Sequence, residues 1–182
     1  KRHMESLDAA VVNFSRLFYV SALMWPVLII TKPSAGVWAA VASGVLTLFI
    51  GDSLYFYAIH RVGGSVAAPI TYTYVVIAQY FALLLGEKVT PMLLVSSLLV
   101  VFGVGLLARG GEARVNVVGV ASAAAAAFMW SLGMTAVKLA AVQGVHPTAV
   151  AYLRALSACL FMALYLAARG RLRVVKSPLF AA

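Results

Sequence analysis

Asp52 is the residue of this chain best equipped for chemistry, because it is the only carboxylate lying well inside an apolar stretch. Holding a carboxylate at the centre of a bilayer costs about 2.5–3.5 kcal/mol on insertion scales, so a partner or a task must keep it there. Two roles fit. In one, Asp52 lines a water-filled cavity and binds a cationic group or cycles a proton. In the other, it pairs with Arg16 and holds helices together. On a helix Asp52, Tyr55 and Ile59 share a face, and Pro69, Tyr72, Val76 and Gln79 share a face of the next stretch. Tyr55, Tyr72 and Gln79 would thus wall a polar, aromatic cavity with Asp52 on its rim. Trp130, beside Ser131 in the middle of a later stretch, either faces the same cavity or packs as a core ring. Tyr57 and Tyr74 are second candidates, since tyrosine also populates membrane interfaces.

Two arginines inside otherwise apolar stretches repeat each other. Asn13-Phe14-Ser15-Arg16-Leu17 is echoed after 138 positions by Ala151-Tyr152-Leu153-Arg154-Ala155, and Lys1 and Lys138 precede the two arginines by 15 and 16 residues. Repetition favours a shared structural or gating duty for Arg16 and Arg154, such as snorkelling to headgroups or holding a helix terminus. Lys138 at a helix end fits the same duty. Enzymatic motifs are missing: there is no His-Glu-x-x-His, no Gly-x-Ser-x-Gly and no phosphate-binding glycine loop. His3, His60 and His146 are too scattered for a metal site, and Cys159 is alone. Gly51-Asp52 is similar to part of an intramembrane aspartyl protease motif, but Phe49 occupies its glycine position and no second intramembrane aspartate exists. The residues therefore predict no enzyme, no metal and no cofactor.

The elements that must position these groups are membrane helices. Of the 182 residues 64% are hydrophobic and 10% charged, with a mean hydropathy of +1.01. Soluble domains sit near ~45–50% apolar and ~25% charged. The net charge of +9 gathers at the ends of the apolar stretches rather than on one polar face, which excludes nucleic acid as the partner. Six spans are predicted, roughly 9–31, 37–60, 65–86, 91–108, 117–139 and 147–168. Each is close to the ~20 residues that cross a ~30 Å hydrocarbon core. Apolar runs of this length satisfy their backbone in lipid as helices rather than strands.

Turn chemistry marks their ends. Thr90-Pro91 and His146-Pro147 each place a cap before a proline at the first helical position, Gly86 closes the third span, and Gly110-Gly111 breaks the chain before the fifth. Pro26 predicts a kink in the first span. Gly119, Ala123 and Ala127, four apart, would let helix backbones approach closely. Charge does not orient the protein: one side carries nine Lys and Arg against Lys32, Lys88 and Lys138 on the other, yet the internal connections alone score three against three. Five connections separate Arg16 from Arg154, so the repeating unit holds five spans and its second copy is inverted, the architecture of many secondary transporters.

Tyr55-Phe56-Tyr57-Ala58, then Ser65-Val66-Ala67-Ala68, then Gly86-Glu87-Lys88-Val89-Thr90, and a helix ending in Gly103-Val104-Gly105 carry a family resemblance. This stretch, Gly51 to Arg109, resembles the EamA-type repeat of the drug/metabolite transporter superfamily, and the resemblance implies a structural or gating role for Glu87, organising the turn after the third span. The family often has proline thirteen residues before that glutamate. Tyr74 stands there instead, and Pro69 lies five residues earlier, which predicts a displaced break in the third span. The resemblance implies an all-α integral membrane protein, two five-helix halves in inverted orientation. Residues 1–110 would be most of the first repeat, its helices two to five, with Lys1 near the end of the first. Residues 111–182 would begin the second repeat with helices six and seven. The chain then resembles an internal piece of a ten-helix protein, one helix short upstream and three downstream. The implied activity is secondary active transport of a small amino-acid-like or drug-like metabolite by alternating access, with protons as a coupling ion, across the plasma membrane. A non-transporting membrane subunit or scaffold is the alternative, although it needs neither an inverted repeat nor Asp52.

Overall fold

The computed structural model describes residues 9–31, 35–107 and 116–170, and among them all regular structure is helical. Lys1, His3, Lys32, Arg109, the Gly110-Gly111 break and the repeat boundary beside it lie outside the described residues. In chain order the helices are α1 (Ala9–Met24), α2 (Val27–Ile30), α3 (Val37–Gly44), a π-helical segment (Val45–Gly51), α4 (Asp52–Val62), α5 (Gly64–Tyr72), α6 (Tyr74–Leu84), α7 (Pro91–Leu107), α8 (Val117–Val142) and α9 (Pro147–Ala168). Four helical stretches are long and apolar enough to cross a membrane: Val37–Val62, Gly64–Leu84, Val117–Val142 and Pro147–Ala168. Helix α1 has 16 residues and stops at Trp25-Pro26, while α7 has 17.

The ends form as the turn residues require. Gly86 (φ +82°) closes α6 with Glu87 N–H donating to the Ala82 carbonyl and Gly86 N–H to that of Leu83, and Gly144 (φ +80°) repeats the pattern after α8. A side chain at Gly86 would meet no other atom, so Gly86→Ala tests backbone strain alone. We expect it to lower stability by about 1 kcal/mol, read as a lower melting temperature of the purified protein. Helices α7 and α9 begin on Pro91 and Pro147, behind Thr90 and His146.

The break in the third span is not displaced towards Pro69. Pro69 lies inside α5, and the chain turns at Thr73, directly before Tyr74. Thr73 N–H bonds the Ile70 carbonyl at 3.2 Å, and its hydroxyl donates to the same carbonyl at 2.6 Å. A local hydroxyl thereby tightens the turn where a straight helix would continue.

Helix α8 is the axis of the bundle and packs against α3, the π segment, α4, α5 and α6; α9 packs against α1, α3 and the π segment. Small residues make these approaches possible. Ala58, Ala67 and Ala123 are fully buried where α4, α5 and α8 meet, and Gly119 sits against Arg61 and Val62. Ala39, Ala40, Ala140, Ala149 and Val150 fill the junction of α3, α8 and α9. Larger side chains join α1 to α9: Val11, Phe14 and Leu17 against Ala158, Met162 and Leu166. Close backbone contact of this kind drives helix association where burial of apolar surface no longer discriminates. Helix α7 packs chiefly against α5 and α6 and leaves Met92, Leu94, Leu98 and Leu99 exposed, a surface suited to lipid or another helix.

Candidate functional site

The π segment builds the site. In an α-helix the Asp52 N–H would bond the Leu48 carbonyl; here it reaches Thr47 and Phe49 instead. The Leu48 carbonyl accepts from Asn13 Nδ2 at 2.9 Å, which ties α1 to the π segment. Asn13 is buried, and its side-chain oxygen Oδ1 accepts from Arg16 Nη2 at 2.8 Å. Arg16 Nη2 then forms an ion pair with Asp52 Oδ2. The other carboxylate oxygen, Oδ1, accepts from the Trp130 indole at 3.2 Å. Asp52 is thus held from two helices, α1 and α8, and is 7% exposed.

Around this carboxylate lies a cavity of about 380 Å³, lined among others by Arg16, Thr47, Asp52, Tyr55, Tyr74 and Trp130. That volume falls in the range of sites for small organic molecules. Trp130 is its aromatic hub, with ring centroids of Tyr55 and Tyr74 both at 5.4 Å and that of Tyr72 at 6.4 Å. Gly51 admits the Trp130 ring, since a Cβ there would collide with it. The chemistry available is a fixed anion and a cation side by side, with aromatic faces for an apolar or cationic group. Trp130→Phe keeps an aromatic ring but strips the donor from Asp52. We expect a stability loss of about 1–3 kcal/mol, measured by thermal unfolding in detergent.

Asp52, Tyr55 and Trp130 therefore meet, and Arg16 joins them through the ion pair. Tyr72 touches the hub from outside the cavity lining and is 37% exposed. Gln79 is elsewhere: it donates to Ser97 Oγ and to the Leu93 carbonyl at 3.2 Å, facing α7. The irregular turn at Thr73, where α5 ends and α6 begins, lies between Tyr72 and Gln79. Tyr57 lies under the Arg61 guanidinium at 5.1 Å. Glu87 and Lys138 form an ion pair joining the turn after α6 to the end of α8, and both are partly exposed. Arg154 lies in α9, where its backbone packs closely against Gly44 of α3, and it does not line the cavity. Sequence reasoning missed Asn13 and Thr47 as site residues. Asn13 could have been found as a second polar group three residues before Arg16, hence on the same helix face.

A bundle of apolar helices, four of them long enough to cross a bilayer, is a multi-pass membrane protein. The profile of the EamA-like transporter family matches residues 1–109, and the chain belongs to that family. It is also similar to an uncharacterized transporter of Archaeoglobus fulgidus, at 26% identity over 140 residues, which cover 74% of this chain and 50% of the relative. The chain spans about half the length of that curated relative. No solved structure matches it.

Proposed function

We propose that the protein is a secondary active transporter of the drug/metabolite type, moving a small amino-acid-like or drug-like solute across the plasma membrane by alternating access. One observation carries this reading: the Arg16–Asp52 pair, braced by Asn13 and Trp130, lines a cavity of solute size inside a bundle of membrane helices. A scaffold gains little from a half-exposed ion pair at the edge of an aromatic cavity, because such pairs stabilise little in themselves. A solute with a cationic and an apolar end would compete with Arg16 for Asp52 and stack on Trp130. Asp52 is the proposed proton carrier, and Tyr55 and Tyr72 the aromatic contacts. Gln79 would join them only after α5 and α6 realign across Thr73.

The architecture proposed is six spans of a ten-helix, five-plus-five inverted repeat, with the first repeat over residues 1–110 and the second begun over 111–182. The packing of α1 on α9 supports it, since these helices carry the repeated arginines and would be related by the pseudo-two-fold axis. Lys138–Glu87 then serves as a structural or gating tie.

The test is solute flux in proteoliposomes containing the protein expressed from its complete coding sequence. The probes are labelled phenylalanine, leucine, phenethylamine and benzoate, under a pH gradient and without one. Saturable uptake of at least one probe is expected, with the zwitterions and the amine preferred over benzoate. No flux of any probe, from protein that remains folded, contradicts the reading.

A further inference from the structure

The cavity beside Asp52 has a neighbour. Along α8, Trp130, Met134 and Lys138 are spaced four apart and share one face; along α6, Tyr74, Ala78 and Ala82 do the same. The two helices pack together. Tyr74 meets Trp130 at one end of their seam, and the turn after α6 meets Lys138 at the other through Glu87. Between those ends lies a second void of about 80 Å³, lined by Ala78, Ala82, Leu85, Met134, Thr135 and Lys138. That is room for about two or three waters at ~30 Å³ each. Met134 lines this void and the larger Asp52 cavity alike, so its side chain stands between them.

Each part of the seam suits a passage. Ala78 and Ala82 leave open the space that larger side chains on α6 would fill. Met134 is unbranched, turns about three side-chain bonds and is 39% exposed, so it can swing aside with the backbone in place. Beyond it Lys138 reaches across to Glu87 and closes the outer end, where both side chains are partly exposed. An exposed pair of this kind stabilises little and breaks readily.

We propose that the seam between α6 and α8 is the route by which the Asp52 cavity opens towards the Glu87–Lys138 end of the bundle. Met134 is the gate between the two compartments, and the ion pair is the outer latch. That a solute travels this route rests on the transport proposed above; that water reaches Met134 along it does not. A methionine that only faced lipid would have no water around it, and a thiol placed there would stay un-ionised and inert.

Cysteine labelling in proteoliposomes separates these cases. The reagent is a membrane-impermeant thiosulfonate bearing a trimethylammonium group, present on both faces of the bilayer. Wild type, whose Cys159 is buried, gives the blank, and Leu98→Cys on the exposed face of α7 gives the lipid-side comparison. Met134→Cys is expected to react at least about tenfold faster than Leu98→Cys, because only a hydrated thiol ionises. Adding Glu87→Gln should raise its rate a further two- to fivefold or so, the range that loss of an exposed ion pair supports. No labelling of Met134→Cys above the comparison overturns the inference, as does a rate indifferent to Glu87→Gln. Should Met134→Cys fail to fold, Ala78→Cys across the seam decides by the same two rates. Labelling as expected without solute flux would retain the route and remove the transport reading. Flux through a protein whose seam stays unlabelled would do the reverse.

Discussion

Asp52→Asn is expected to abolish flux driven by a pH gradient while leaving the protein folded. Asparagine has nearly the same shape, and its Oδ1 still accepts from Trp130 or Arg16, so the connection between α1, α4 and α8 survives. What goes is the charge and the ability to titrate. Losing a hydrogen bond to a charged group is worth about 1.5–3 kcal/mol, or roughly a 10–150-fold loss for a solute that binds through a cation. Proton coupling through this position is lost altogether, because an amide does not carry the proton. The fold tolerates the change because the Arg16 side chain is 51% exposed and stays hydrated without its partner. Melting curves and flux on the same preparation separate the two effects. Undiminished pH-driven uptake by the variant would end the assignment of Asp52 as carrier.

Gly44→Ala is expected to destabilise the bundle by about 1–3 kcal/mol, towards the upper end. A Cβ at Gly44 would collide with the backbone carbonyl and Cα of Arg154 and with Ser157 Oγ. Two of those atoms are main chain and cannot rotate away, so α3 and α9 must separate. That crossing also seats α9 against the π segment. Gly103→Ala is the matched control. Its Cβ meets nothing, and alanine in a helix interior stabilises by about 0.5–1 kcal/mol relative to glycine. Equal melting temperatures for the two variants would contradict the close-approach account of the α3–α9 junction.

The parts of the fold legible in the sequence are those governed by local chemistry. Proline at the first helical position, glycine with positive φ after the last, and the length of each apolar run give α6, α7, α8 and α9 their ends within a few residues. Asp52 stood out because a carboxylate in an apolar run needs a reason, and Arg16 was within the list of possible partners. The π segment was not legible. It releases the Leu48 carbonyl to Asn13 and sets the direction of Asp52, yet nothing in Val45–Gly51 distinguishes it from α-helix before α1 and α8 are packed against it. Gln79 shows the converse error. Its spacing from Tyr72 is correct for one straight helix, but the two residues lie on either side of the irregular turn at Thr73, and Gln79 faces α7. Tyr74, across that turn, reaches Trp130 instead. Periodicity places residues on a face; it does not reveal where the face rotates.

Counterflow tests the central claim most directly. Proteoliposomes are loaded with an unlabelled solute that the protein carries and diluted into a trace of the same solute in labelled form, with no ion gradient imposed. An alternating-access carrier returns labelled solute on the site that has just released an unlabelled molecule, so label accumulates transiently above its external level and then decays. The account predicts that overshoot in the wild type and its loss in Asp52→Asn. Label that only equilibrates, with no overshoot in the wild type, would mean a passive pore or no carrier at all, and would contradict the account.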